Sequence, residues 1–246
     1  GAAASAARSR SVVAYGNAGR TQAIGVASTP VPWVPVIVVL FLYFCYCSAF
    51  TVFETVGVVY TKASPILQFD VQSNGGFFCL LGAECIVGLV VLQIVNRFCN
   101  DRILLVLTTI LMSGGNGMLV DWSGWAPAWR FYVGVGMVSI GYSTSTALLI
   151  SVYSKVLEGL DQGAMMGWLS SAAAIARCVG PLTSAYVWKI DPYQNGHLVF
   201  VGITGLLALA AVIAAVCYFV LRPRGQPSTV DASESGPSER DALINS

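Results

Sequence analysis

An all-α, polytopic membrane protein with six transmembrane helices is the fold that this sequence predicts, and three observations predict it. Of 246 residues, 56% are hydrophobic and only 10% are charged, which leaves too little polar surface to cover a water-soluble globule. The apolar residues gather in six stretches, each long enough, at roughly 18 residues or more, to cross a bilayer as a helix. The stretches lack the alternating pattern of a membrane barrel, and in hydrocarbon every backbone N–H and C=O must be paired internally, so helices are the spanning solution.

The first span, about 33–59, carries Glu54 late in its length, and the second, about 76–95, carries Glu84 near its centre. The third, about 103–120, holds Gly114, Gly115 and Gly117; no strand precedes them, so a nucleotide-binding turn is excluded. In the fourth, about 131–153, Gly134, Gly136 and Gly141 lead into the run Ser143, Thr144, Ser145, Thr146. Small and hydroxylated residues let membrane helices approach closely, so packing is the first expectation for this run and an aqueous cavity wall the second. The fifth span, about 165–187, has Arg177 near its centre and Gly180-Pro181 beyond it. The proline removes a backbone donor and supplies a kink that a gating helix could use. His197 opens the sixth span, about 198–221, where an exposed interfacial imidazole is expected and a pH-sensing role is the alternative.

Orientation follows from the basic residues. Nine fall on one side, in the N-terminal arm, at Arg97 and Arg102, at Lys155 and in the tail, against three on the other, Lys62, Arg130 and Lys189. Both termini are therefore expected in the cytosol. The 13 Lys and Arg nearly balance the 12 Asp and Glu, so there is no electrostatic footprint for nucleic acid. Residues 1–29 are expected to be a flexible cytosolic arm or linker, 30–222 the membrane domain and 223–246 a disordered cytosolic tail. The absence of an initiator Met suggests that the chain begins inside a longer protein. The seven cysteines lie in or beside the spans, with neither disulfide nor zinc spacing, and are expected to be packing thiols.

Three charges stand where hydrocarbon should be. Leaving one unpaired at the bilayer centre costs about 3 kcal/mol or more, so such residues usually face a partner, a bundle interior or a watery path. Counting along the spans places Glu84 and Arg177 at similar depth. They are expected either to bridge two helices as an ion pair or to form a substrate or proton site. Glu54 is expected nearer the lumenal mouth, as part of a gate or simply solvated.

A family resemblance rests on several segments in order: Phe50 to Thr55 with Glu54 inside it, Asn96 to Arg102 with Asp101-Arg102, the Ser154-Lys155 turn, Gln162 to Trp168, and Ala176-Arg177 through Gly180-Pro181. Together they resemble the carboxyl-terminal half of major facilitator superfamily transporters, and more closely the lysosomal branch associated with neuronal ceroid lipofuscinosis and its SPX-domain relatives. Of the superfamily's loop motif only the Asp101-Arg102 pair, preceded by Arg97, is present. The resemblance implies that the six spans are the seventh to twelfth helices of a twelve-helix carrier. It implies that the first, second, fourth and fifth line a central cavity while the third and sixth face lipid. It also implies that Arg97, Asp101 and Arg102 act as a conformational latch, and that Glu54, Glu84, Arg177, Ser143 and Thr144 serve substrate or proton coupling.

In such a carrier the path runs between two halves, so the expected partners are an amino-terminal six-helix half, or a second copy, and the lipid bilayer. The tail segment from Glu239 to Leu243-Ile244 resembles an acidic dileucine signal recognised by clathrin adaptors, which points to a lysosomal or endosomal membrane. No nucleophile constellation, metal spacing or phosphate loop is evident, so neither an enzyme nor a cofactor is expected. The expected function is a secondary carrier of small solutes or ions working by alternating access. The alternatives are a non-transporting scaffold or receptor, or an ion channel.

Overall fold

The computed structural model describes residues 31–121, 125–157, 162–190 and 196–217. Six helices make up the described chain: α1 Trp33–Ala63, α2 Val71–Val95, α3 Asp101–Leu119, α4 Ala128–Val156, α5 Gln162–Ile190 and α6 His197–Val216. No strand occurs among the described residues, and the chain is a polytopic α-helical membrane protein. The expected arm and tail, including Glu239, Leu243 and Ile244, lie outside the described residues.

Five of the six helices are long and apolar enough to cross a membrane; α5 is the exception. It has 29 residues, but Arg177 and the hydroxyls of Ser170, Ser171, Thr183 and Ser184 interrupt its apolar run. Several helices also outrun their apolar cores. The second starts at Val71 rather than near Gly76, because Asp70 caps it by accepting from Ser73 N at 2.8 Å. Hydrogen bonds from Ser73 hold the exposed Asp70 carboxyl below its ordinary value of 3.8. Gly196 starts α6 with φ 74°, a left-handed conformation, and a Cβ there would stand 2.5 Å from the Trp188 ring.

The helices pack in two rows. The front row runs α2, α4, α1, α5, each touching the next, and the back row is α3 against α6, with α3 on α4 and α6 on α1 and α5. In the most apolar stretch of α1 and of α4, 56% of residues are buried, against 11% in α2. The two central helices thus carry the core, while α2 leaves most of its surface uncovered.

The most extensive contact, α3 on α4, is backbone against backbone. A Cβ at Gly115 would lie 2.6 Å from the Gly134 carbonyl oxygen, one at Gly134 would lie 2.8 Å from Gly115 O, and one at Gly141 would meet Met112 Cα at 3.0 Å. Glycine at these places is a packing requirement. Hydroxyls add cross-links at depth: Tyr46 of α1 with Thr109 of α3 at 2.6 Å, Ser145 of α4 to Thr108 of α3 at 2.8 Å, and Ser113 of α3 to Thr204 O of α6 at 3.3 Å.

The two ends of the bundle are tied differently. At one end an aromatic cluster joins three helices around Tyr60 of α1, which stacks on Phe131 at 5.5 Å and meets Phe200 edge-on at 5.6 Å. Its hydroxyl accepts from Ala126 N at 3.0 Å. Nearby, Arg130 bonds Asp121 at 3.4 Å and the Val120 carbonyl at 2.9 Å, closing the C-terminus of α3. At the other end Tyr153 of α4 donates to Met165 O of α5 at 3.2 Å.

All seven cysteines are free thiols, but Cys79, Cys99 and Cys178 are exposed. The expectation of packing thiols therefore holds for buried Cys45 and Cys47 and not for these three, whose helix or loop faces no other described helix covers.

Gly115→Ala is expected to force α3 from α4 at a cost of about 1–3 kcal/mol, seen as a lower melting temperature in detergent. Gly82→Ala and Gly205→Ala, where an added Cβ meets nothing within 4 Å, should melt as the parent does. Equal melting of all three would contradict the backbone contact.

Candidate functional site

One stripe of α1 organises the site. Tyr43, Cys47, Phe50 and Glu54 recur at helical spacing and so project from one face. The stripe meets α4 at Tyr142, whose ring stacks on Phe50 with centroids 4.0 Å apart and planes 5° from parallel. It meets α5 at Ala173 and Ala176, which pack with Cys47 against Tyr43, Phe44 and Tyr142. These small alanines bring the next residue, Arg177, up to the stripe.

Arg177 lies within electrostatic reach of Tyr142, Tyr43 and Cys47. Glu54 feels the same cation. Both Arg177 and Glu54 are exposed, on the uncovered side of the front row. Pro181 lies inside α5, and because proline has no N–H, the carbonyl it leaves without a helical donor is that of Arg177, four residues back. Gly180 seats α5 on α1: a Cβ there would lie 3.2 Å from Val52 and 3.4 Å from the Ser48 carbonyl oxygen.

A second polar patch lies between α2 and α4. Glu84 sits against Gly136, where an added Cβ would be 3.6 Å from its carboxylate, and its Oε2 is buried with no hydrogen-bond partner. Beside it Cys85 Sγ donates to the Ser139 carbonyl at 3.6 Å, and Ser143 faces Gly88.

The expected Glu84–Arg177 ion pair does not form. The ion pairs among the described residues are Arg130 with Asp121 and Lys155 with Asp101. The reason is topological: α2 packs on α4 and α5 packs on α1, at opposite ends of the front row. Equal depth put the two charges on one level and could not say that two helices separate them.

The polar run of α4 divides. Ser143 bonds Ser139 O at 3.0 Å, Thr144 bonds Ile140 O at 2.6 Å and Thr146 bonds Tyr142 O at 2.8 Å, all within the helix, while Ser145 reaches α3. Ser145 thus ties two helices through its hydroxyl. Ser143 stands in the Glu84 patch, and Thr144 lines an apolar groove between α2, α3 and α4, apart from Arg177.

Among the residues expected as a latch, Asp101 ties α3 to α4. From the first turn of α3 it accepts from Ser151 at 3.2 Å and pairs with Lys155, both on α4. Arg97 is exposed just beyond α2, and Arg102 follows Asp101 on α3. Sequence reasoning missed Tyr43, Phe50 and Tyr142 as site residues. For the α1 residues, the helical spacing of Tyr43, Cys47, Phe50 and Glu54 was the available signal.

The architecture is that of a polytopic membrane protein with ionisable side chains on an uncovered helix row, which fits a membrane transporter. No protein-family model matches the chain. The chain is similar to the major facilitator superfamily domain-containing protein 8 of Xenopus laevis, 29% identical over 87 residues, a stretch covering 35% of this chain and 16% of that protein. The chain thus spans well under two thirds of that relative's length.

In a double-variant cycle, Asp101→Ala and Lys155→Ala should couple by less than about 1 kcal/mol, because the lysine is half exposed, and less again at high salt. Asp101→Ala alone should destabilise more than Lys155→Ala, since it also loses Ser151 and a favourable charge at the start of α3. Equal single-variant losses in thermal melts would reduce the bridge to its ion pair.

Proposed function

We propose that this chain is the carboxyl-terminal six-helix half of a major-facilitator-type secondary carrier, moving a small solute by alternating access. The observation that carries this reading is that Glu54, Glu84 and Arg177, all within long helices of the bundle, lie on the front row, with Glu54 and Arg177 exposed and Glu84 partly so. Charged groups are costly in lipid and belong beside a water-filled path. A single row forms one wall of such a path; the other is supplied by a second six-helix half or a second copy. The back row, α3 and α6, then faces lipid. The similarity to a major facilitator superfamily domain-containing protein supports the same reading.

In this carrier Glu84 and Glu54 take up and release the coupling proton. Glu84 has the carboxyl oxygen without a hydrogen-bond partner, and Gly136 leaves room for it on α4. Asp101, Lys155 and Ser151 tie α3 to α4 at the face that bears Arg97 and Arg102. By the excess of basic residues this face is cytosolic, and both termini lie with it.

Full-length protein reconstituted in liposomes should take up a labelled solute with saturation and with a rate that depends on the pH gradient. Glu84→Gln or Glu54→Gln should abolish that pH dependence. Unsaturable conductance would indicate a channel, absence of any flux a scaffold, and unchanged pH dependence in both variants would remove the carboxylates from coupling.

The carrier belongs to an endolysosomal membrane, a reading supported by Glu239, Leu243 and Ile244 in the tail. Changing both Leu243 and Ile244 to Ala should move the protein to the cell surface, measured by surface biotinylation. Retention in endolysosomes would discard that address.

A further inference from the structure

The proposed carrier leaves open what its site recognises, and the geometry around Arg177 bears on that. Two opposite charges, Glu54 on α1 and Arg177 on α5, are exposed on one face of adjacent packed helices. They are not among the salt bridges, so their charged atoms stand more than 4.0 Å apart.

Their levels explain the gap. Gly180 contacts Ser48 and Val52, so Arg177, one turn earlier on α5, lies level with Cys47. Glu54 is two turns beyond Cys47 along α1, about 10 Å at the helical rise. Between the levels of the two charges stands Phe50, stacked on Tyr142 of α4.

We infer that this site takes a linear zwitterion whose ends are set apart by an apolar middle, an ω-amino acid in chemical class; the inference rests on the carrier reading and deepens it. The ligand's carboxylate meets Arg177, whose planar fork matches it with two parallel hydrogen bonds. Its ammonium meets Glu54, and its methylenes lie over the Phe50 and Tyr142 rings, which also favour a nearby cation. A simple anion would satisfy Arg177 and leave Glu54 repelling it. A simple cation would face the reverse. The zwitterion is the class that uses both charges and the apolar strip between them.

The test is ligand-dependent thermal stabilisation and uptake by the full-length reconstituted protein, with glycine, 4-aminobutyrate and 6-aminohexanoate as probes. The two longer probes should bind more tightly than glycine. Blocking either end of the best probe, by N-acetylation or as the carboxamide, should weaken it about tenfold or more. Glu54→Gln should restore parity between that probe and its N-acetyl form, and Arg177→Gln parity with its carboxamide. Because Arg177→Gln can fail to fold, the double exchange Glu54→Arg with Arg177→Glu, which keeps both charges, should bind the same probe. Blocked probes binding as well as the parent, or a flat response across the three lengths, would overturn the inference. Transport of other solutes with no zwitterion binding would overturn it and leave the carrier reading standing. Zwitterion binding without uptake would uphold it and defeat the carrier reading.

Discussion

Every backbone N–H and C=O inside the hydrocarbon must find its partner within the protein, and the rest of this structure follows from that constraint. It makes helices of the apolar stretches, five of the six long and apolar enough to cross the membrane. It also removes the hydrophobic drive that would bind those helices in water, since lipid tails are as apolar as leucine. What remains to hold them is close contact, and the chain supplies it where Gly115 and Gly134 let α3 and α4 touch through their backbones. The hydroxyl of Tyr46 on Thr109 and that of Ser145 on Thr108 act as short polar ties at a depth where the alternative partner, water, is scarce.

That packing decides what the charged residues can do. By occupying the centre of the front row, α1 and α4 hold α2 and α5 apart, so Glu84 and Arg177 belong to different patches. Arg177 falls instead to the α1 stripe and Tyr142, with Glu54 two turns along the same face. Pro181 adds to this by leaving the Arg177 carbonyl without its helical donor. One short segment of α5, from Ala173 to Pro181, thus packs through its alanines, seats its backbone on α1 through Gly180 and presents a cation.

Legibility differed by kind of feature. The spans were legible because apolar length is a property of consecutive residues. Their ends were less so: α2 begins five residues ahead of its apolar core because Asp70 and Ser73 make a cap, and caps are built from polar residues that resemble loops. The intramembrane charges were legible as anomalies, since a carboxylate in an apolar run is visible in any window. Their partners were not, because equal depth fixes one coordinate of three. Asp101 was singled out from a two-residue motif, but that it bridges to Ser151 and Lys155 depends on how α3 crosses α4.

The sequence by itself determined the solvent, the number and order of helices, and which residues have no business in lipid, because each of these is set by local composition against a slab of known thickness. Only the tertiary structure decided which helix lies beside which, that Arg177 lies by the α1 stripe rather than by Glu84, and that Gly136 makes room for Glu84. Those outcomes depend on the lateral order and rotation of the helices. Lateral order and rotation are governed by steric fit at a few glycines and alanines, and by hydroxyl pairs far apart in the chain, neither of which a periodic pattern encodes.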